Sequence, residues 1–164
     1  MDYELELAAV TRRSRANIPL AEARNHIFGY TIFNDFSARD VQGLEMEGRL
    51  GPSKAKSFDG GNVLGPWIVT TDEVQDAQDL KVEVRVNGQV RSRGDTSGML
   101  FSFEQILAHT SQDETIHSGE CFASGTVGNC SGYELGRYLE DGDVVELEIE
   151  KIGVLKNKVE RQKA

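Results

Sequence analysis

Apolar and polar residues alternate along three stretches of the chain, and each alternation predicts a strand with one buried face. Tyr3 to Val10, YELELAAV, sets Leu5 and Leu7 on one face and Glu4 and Glu6 on the other. Leu80 to Val86 opposes Leu80, Val82, Val84 and Val86 to Lys81, Glu83 and Arg85. Asn87-Gly88 follows directly and predicts a tight hairpin, because both residues tolerate the positive φ angles of a type I′ turn. Near the end, Val144 to Ile149 and Val154 to Val159 form a second predicted hairpin, joined around Gly153. Ile27 to Phe33 is continuously apolar enough to read as a fully buried strand, and it delivers Asp35 to its carboxyl end. Shorter strands are expected at Trp67 to Thr70, after a glycine-rich loop from Gly60 to Pro66, and at Cys121 to Ser124, while Gly94 to Met99 reads as a loop.

Helical signals are few and short. Pro19 suits the first turn of a helix running to about His26. Ser102 and Gln105 make a capping box for a helix from Phe103 to about Thr110, whose apolar stripe is Phe103, Ile106 and Leu107. Ser37, with Asp40 three residues on, carries a similar capping pattern just after Asp35. The expected class is α+β, mostly β, with a few short helices outside twisted sheets.

The chain has 164 residues, 38% of them hydrophobic, which fits one domain over 1–164. Seventeen glycines against three prolines suit many tight turns. A net charge of −9, from 27 acidic and 18 basic side chains, repels phosphate backbones, so nucleic acid is not an expected partner. No run reaches the roughly 18 apolar residues of a membrane span, and the opening Met1-Asp2-Tyr3-Glu4 is not a signal-peptide start. A cytoplasmic location is expected. Cys121 and Cys130 lack metal or redox spacing and read as buried thiols.

Chemistry concentrates between His26 and Asp59, where Asp35, Arg39, Gln42 and Lys56 crowd one strand end. Two readings of the Glu4 and Glu6 pair stand open. Two carboxylates on one strand face can hold a metal, or they can merely solvate an exposed sheet, as the same spacing at Glu146, Glu148 and Glu150 illustrates. Asp35 and Arg39 likewise suit a turn cap and a surface ion pair. His26 reads as a structural histidine at a helix end. Gly125-Thr126-Val127-Gly128 would allow close backbone approach to a ligand, or form an ordinary loop. No phosphate-binding glycine pattern is present.

Several blocks, in order, resemble the C-terminal catalytic domain of the fumarylacetoacetate hydrolase family: GYTIFNDFSARDVQ, KSFDGGNVLGPWIVTTDEV, VNGQVRSRGDTSGMLFS, the SGT turn and DGDVVELEIEKIGVLKN. The resemblance covers nearly the whole chain, and its NDxSARDxQ block is the most specific part. It implies a mixed β-sheet roll or barrel. It also implies that Glu4, Glu6 and Asp35 bind a divalent metal, with Mg²⁺ expected from the oxygen donors and Mn²⁺ or Ca²⁺ as substitutes. Arg39, Gln42, Lys56 and Thr126 match positions that contact substrate oxygens. Lys56 and Glu134 match catalytic positions, Glu134 being similar to a glutamate that orients a histidine and a water. The implied partners are a small-molecule keto acid and a second copy in a homodimer.

The activity expected from the resemblance is metal-dependent hydrolysis of a C–C bond in an acylpyruvate-like or fumarylacetoacetate-like β-diketo acid. Decarboxylation, isomerisation, hydration and sugar-acid dehydration are alternatives within the same family. Family members carry an extension before the ExE strand with a base-supplying histidine, to which His26, His109 and His117 do not align. That departure motivates a further alternative, a catalytically deficient domain that binds metal and keto acid.

Overall fold

Leu5, Leu7 and Ala9 anchor the molecule: they lie on one face of the first strand, fully buried against the valines and leucines of a second sheet. The computed structural model describes residues 1–161. Its elements in chain order are β1 (Leu5–Thr11), α1 (Leu20–Ala23), β2 (Ile27–Asp35), α2 (Arg39–Glu47), β3 (Asn62–Thr70), β4 (Lys81–Val86), β5 (Gln89–Asp95), α3 (Phe103–Thr110), β6 (Cys121–Ala123), α4 (Gly132–Leu135), β7 (Val144–Ile149) and β8 (Gly153–Lys158).

Two antiparallel sheets result, ordered β3-β2-β1-β6 and β5-β4-β7-β8. In the second, Val82, Val84 and Val86 of β4 and Val145, Leu147 and Ile149 of β7 turn inward, and the alternating charged residues turn out. The inward faces meet Leu5, Leu7, Tyr30 and Ile32 of the first sheet in one core. Asn34 Nδ2 donates to Asn157 Oδ1 at 3.1 Å, tying β2 to β8. Helix α3 closes one side by burying Phe103 and Leu107, with the Phe103 ring 5.6 Å from that of Tyr30. Among the described residues no helix is long and apolar enough to cross a membrane.

The mostly-β reading of the sequence holds, and its turn chemistry holds in detail. Val86 pairs with Gln89 around Asn87 and Gly88, whose φ angles are 52° and 74°. The Ser102 and Gln105 capping box is fully formed.

Four expectations change. Ser37 does not cap α2. It is fully buried, its backbone pairs with Asp2, and its hydroxyl donates to the Asp35 carbonyl, so the helix begins two residues later after Ala38. The loop from Gly60 to Pro66 is mostly strand: β3 starts at Asn62 and pairs with β2 before a break opposite Thr31. The break falls beside Pro66, which has no N–H for the ladder, and the Thr31 hydroxyl donates to the Gly65 carbonyl at 3.1 Å. Gly94 and Asp95 extend β5, and Thr96–Gly98 form a 3₁₀ turn capped by Asp95. Cys121 is exposed because β6 is an edge strand; Cys130 is buried as expected.

Replacing Leu7 by Ala is expected to destabilise the fold by about 2–5 kcal/mol, the range for emptying a fully packed leucine site. Urea denaturation followed by circular dichroism measures this; Val90→Ala, at a side chain 45% exposed, serves as the small-effect control.

Candidate metal and keto-acid site

The antiparallel register of β1 on β2 places Leu5 opposite Asn34. It thereby brings Glu4 and Glu6 beside Asp35, and each offers an oxygen within 4.8 Å of the others. This juxtaposition separates Glu4 and Glu6 from their look-alikes on β7. There, Glu146 and Glu148 face outward and pair with Arg85, which also bonds Glu83.

Two cations from different segments enter the carboxylate cluster. Lys56 Nζ lies 2.5 Å from Glu4 Oε2 and 2.7 Å from Asp35 Oδ2. Arg39, the first residue of α2, donates through Nη2 to Glu4 Oε1 at 2.6 Å and through Nη1 to Gln42 Oε1 at 2.7 Å. Its Nε donates to Asp2 Oδ2 at 2.8 Å. Lys56 reaches the cluster because its loop is fastened to α2: the Glu45 carboxylate accepts from the backbone N–H groups of Ser53, Lys54 and Ala55. Glu6 has a different partner, the N–H of Gly125, which donates to its Oε2 at 3.0 Å.

These surroundings set the acidities. Burial, followed by the neighbouring charges of Asp35 and Glu4, pushes the Glu6 carboxyl up to about 7. Burial also raises Asp35, outweighing its hydrogen bond from Lys56. For Glu4 burial acts in the same direction, but the hydrogen bonds from Lys56 and Arg39 prevail and hold it below the usual carboxylate range.

The residues fit a hard divalent cation. Asp35 Oδ1 is buried with no hydrogen-bond partner, an arrangement that costs free energy unless something occupies its lone pairs. With every group ionised, four carboxylates (Asp2, Glu4, Glu6, Asp35) face two cations (Arg39, Lys56), leaving two negative charges for the ion to balance. Oxygen-only donors of this kind suit Mg²⁺, Mn²⁺ or Ca²⁺.

The remaining predicted residues are placed as follows. Gln42 stands one turn along α2 and holds Arg39. Thr126 lines a cleft of about 230 Å³ between the Gly125–Gly128 turn and the Thr96–Leu100 segment, with Met99 and Val127 also on its walls. Glu134 takes no part in the carboxylate cluster through its hydrogen bonds: its oxygens accept from the Asn129 N–H and the Ser131 hydroxyl, bracing the start of α4. Two contributing residues escaped the sequence reading. Asp2 had a signal, since it continues the every-second-residue series of Glu4 and Glu6 back by one step. Glu45 had none, because its bonds to the 53–55 backbone depend on how a loop folds back.

The sequence and the fold agree with known proteins. The chain belongs to the fumarylacetoacetate hydrolase family: the model of that family's C-terminal domain, "Fumarylacetoacetate (FAA) hydrolase C-terminal", matches residues 1–160. Oxaloacetate tautomerase YisK of Bacillus subtilis is 38% identical over 160 residues, covering 97% of this chain and 52% of the tautomerase. A fumarylacetoacetate hydrolase from psychrophilic Exiguobacterium antarcticum superposes with a TM-score of 0.89 at 39% identity, over 98% of this chain and 57% of that one. Fumarylpyruvate hydrolase from Pseudomonas aeruginosa, solved in complex with Mn²⁺ and pyruvate, superposes with a TM-score of 0.84 at 25% identity, over 98% and 66%. The chain thus spans a little over half the length of the tautomerase and of the Exiguobacterium hydrolase.

Mn²⁺ added to the chain is expected to raise its melting temperature, and Glu6→Gln or Asp35→Asn to abolish the rise. At an ion concentration of a hundred times Kd the stabilisation is about 2.7 kcal/mol, or roughly 5–10 °C for a chain of this size. The effect depends on pH in a defined direction. Glu6 is raised in the folded state to about 7, so without metal its contribution to stability is complete below the ordinary glutamate range and is lost as pH rises through about 7. Ligation requires the ionised form, so apparent affinity falls by up to about tenfold per unit as pH drops below that value. Differential scanning fluorimetry at pH 6 and pH 8 checks both trends, and the Mn²⁺-induced shift is expected to be larger at pH 8.

Proposed function

We propose that the chain carries divalent-metal-dependent acid–base chemistry on a 2-keto acid, with interconversion of its keto and enol forms as the reaction its own residues support best. The observation that carries this reading is the convergence of Glu4, Glu6 and Asp35 with Lys56 set between two of them. When bound, a divalent cation supplies positive charge that stabilises negative charge developing on substrate oxygen.

Lys56 is the group assigned to the keto oxygen. An ammonium has three N–H donors, and Glu4 and Asp35 take two of them. The third is left for the substrate oxygen that becomes the enol hydroxyl, while the adjacent carbon passes its proton to water. Asp2, Gln42 and Glu4 take three of the five N–H donors of Arg39 and leave two. Thr126 and the apolar walls of its cleft are assigned to the substrate's distal part. The tautomerase relative supports this reading, since what it shares with this chain extends over 160 residues.

Hydrolysis of a C–C bond in a β-diketo acid is the second reading, supported by the two hydrolases of the same fold. It requires, in addition, a water activated for attack on a carbonyl. Among the described residues no histidine serves the cluster. His26 precedes β2, at the opposite end from Asp35, nine strand residues or about 30 Å away. The His117 carbonyl bonds Thr11 at the far end of β1, and His109 lies in the last turn of α3. Enolisation takes precedence because it needs a proton acceptor but no activated nucleophile, and because the tautomerase is 38% identical to this chain over 160 residues.

Enol absorbance of oxaloacetate, followed with Mn²⁺ and with excess chelator, tests the proposal. Metal-dependent acceleration is expected, falling by about 10²–10⁴ in Lys56→Met, the usual worth of a positioned proton donor. Equal rates with and without chelator would refute it. Release of pyruvate from an acylpyruvate, read by NMR and faster than tautomerisation, would give precedence to hydrolysis.

A further inference from the structure

We infer that Asp2 is a positioning residue of the metal site, acting on Glu4 through Arg39. The inference rests on the reading of Glu4 as a metal ligand. Asp2 is fully buried, and its carboxylate is saturated by donors from three separate segments. Oδ1 accepts from the N–H groups of Tyr3 and Gly132, each at 2.8 Å. Oδ2 accepts from the Tyr133 N–H at 3.0 Å and from Arg39 Nε at 2.8 Å, with Nη2 of the same guanidinium 2.7 Å away as an ion pair. The fit at Gly132 is close enough that a side chain there would collide with Asp2 Oδ1 and the Arg137 carbonyl oxygen.

The guanidinium is fixed from every side. Asp2 holds its Nε edge, Gln42 holds Nη1, and the Tyr133 ring lies over it with its centroid 5.2 Å from Cζ. What remains is a single direction for the bond from Nη2 to Glu4 Oε1. The result is a row of alternating charges, Asp2, Arg39, Glu4, Lys56 and Asp35, in which each neighbouring pair lies within 2.7 Å. Glu4 sits at its centre. Groups that hydrogen-bond a ligand orient it and are worth about 10–100-fold in metal affinity.

A buried aspartate that only staples the chain's first residues to α4 would also be saturated, and the two roles part in their dependence on Arg39. Isothermal titration of Mn²⁺ at pH 8 into the wild type, Asp2→Asn, Arg39→Met and the double variant separates them. Asp2→Asn is expected to weaken Mn²⁺ binding by about 10–100-fold when Arg39 is present, and by less than about threefold in the Arg39→Met background, because the orienting path is already cut. A loss of equal size in both backgrounds, or no loss, overturns the inference. Arg39→Lys provides an independent arm should Asp2→Asn fail to fold. It keeps the charge but cannot span both carboxylates with a planar fork, so an affinity loss of about tenfold or more is expected and wild-type affinity overturns the inference. Wild-type protein that binds no Mn²⁺ would instead remove the metal reading itself, and the inference with it.

Discussion

Carboxylates brought together out of water repel one another and lose hydration, and the structure answers that cost with charge placed by the backbone. Glu4 and Glu6 are fixed by a strand whose other face is core, so neither can retreat to solvent without unseating Leu5 and Leu7. Arg39 and Lys56 arrive from a helix start and from a loop. Neither basic residue is long-range accident: α2 begins where β2 ends, and Glu45 draws the lysine's loop back onto that helix. Glu6 is left with a backbone N–H and no cation bonded to it, so burial and the charges of Asp35 and Glu4 prevail and hold its pKa high.

The second sheet supplies the contrast. Arg85 satisfies Glu83, Glu146 and Glu148 on an outward face, where exchange with water is open to all of them. Glu146 and Glu148 match the spacing of Glu4 and Glu6, yet the hydrogen bond from Lys156, with Arg85 beside it, holds Glu146 below the usual carboxylate range where Glu6 is pushed above it. Function follows from which face of which sheet the residues occupy, and the face is decided by pairing partners distant in sequence.

That distinction explains what the sequence could and could not disclose. Local devices were legible because their physics is local: Asn87-Gly88 needs only two residues that accept positive φ, and Ser102 with Gln105 needs only one helical turn. Ser37 carried the same kind of signal as Ser102 and behaved otherwise, since pairing with Asp2 claimed its backbone first. The extent of β3 was hidden by glycine and proline that read as loop, until β2 offered a partner. For the site, alternation put Glu4 and Glu6 on one face without saying what faced them, and the crowding of Asp35, Arg39 and Lys56 marked a second stretch; the family resemblance joined the two by assigning their roles. Asp2 was open to discovery by extending the series of Glu4 and Glu6 back one step, whereas Glu45 works through bonds to main-chain groups, which leave little trace in residue patterns.

The mounting of Lys56 differs from that of the acids it neutralises. Glu4 and Asp35 belong to a hydrogen-bonded sheet, whereas the lysine rides on a segment between α2 and β3 held mainly by one glutamate side chain and a few main-chain bonds. Its positive charge therefore stands on a separate mounting. A substitution in that segment can change the charge of the centre by a full unit while the pairing of β1 with β2, which sets the carboxylate oxygens, is left intact.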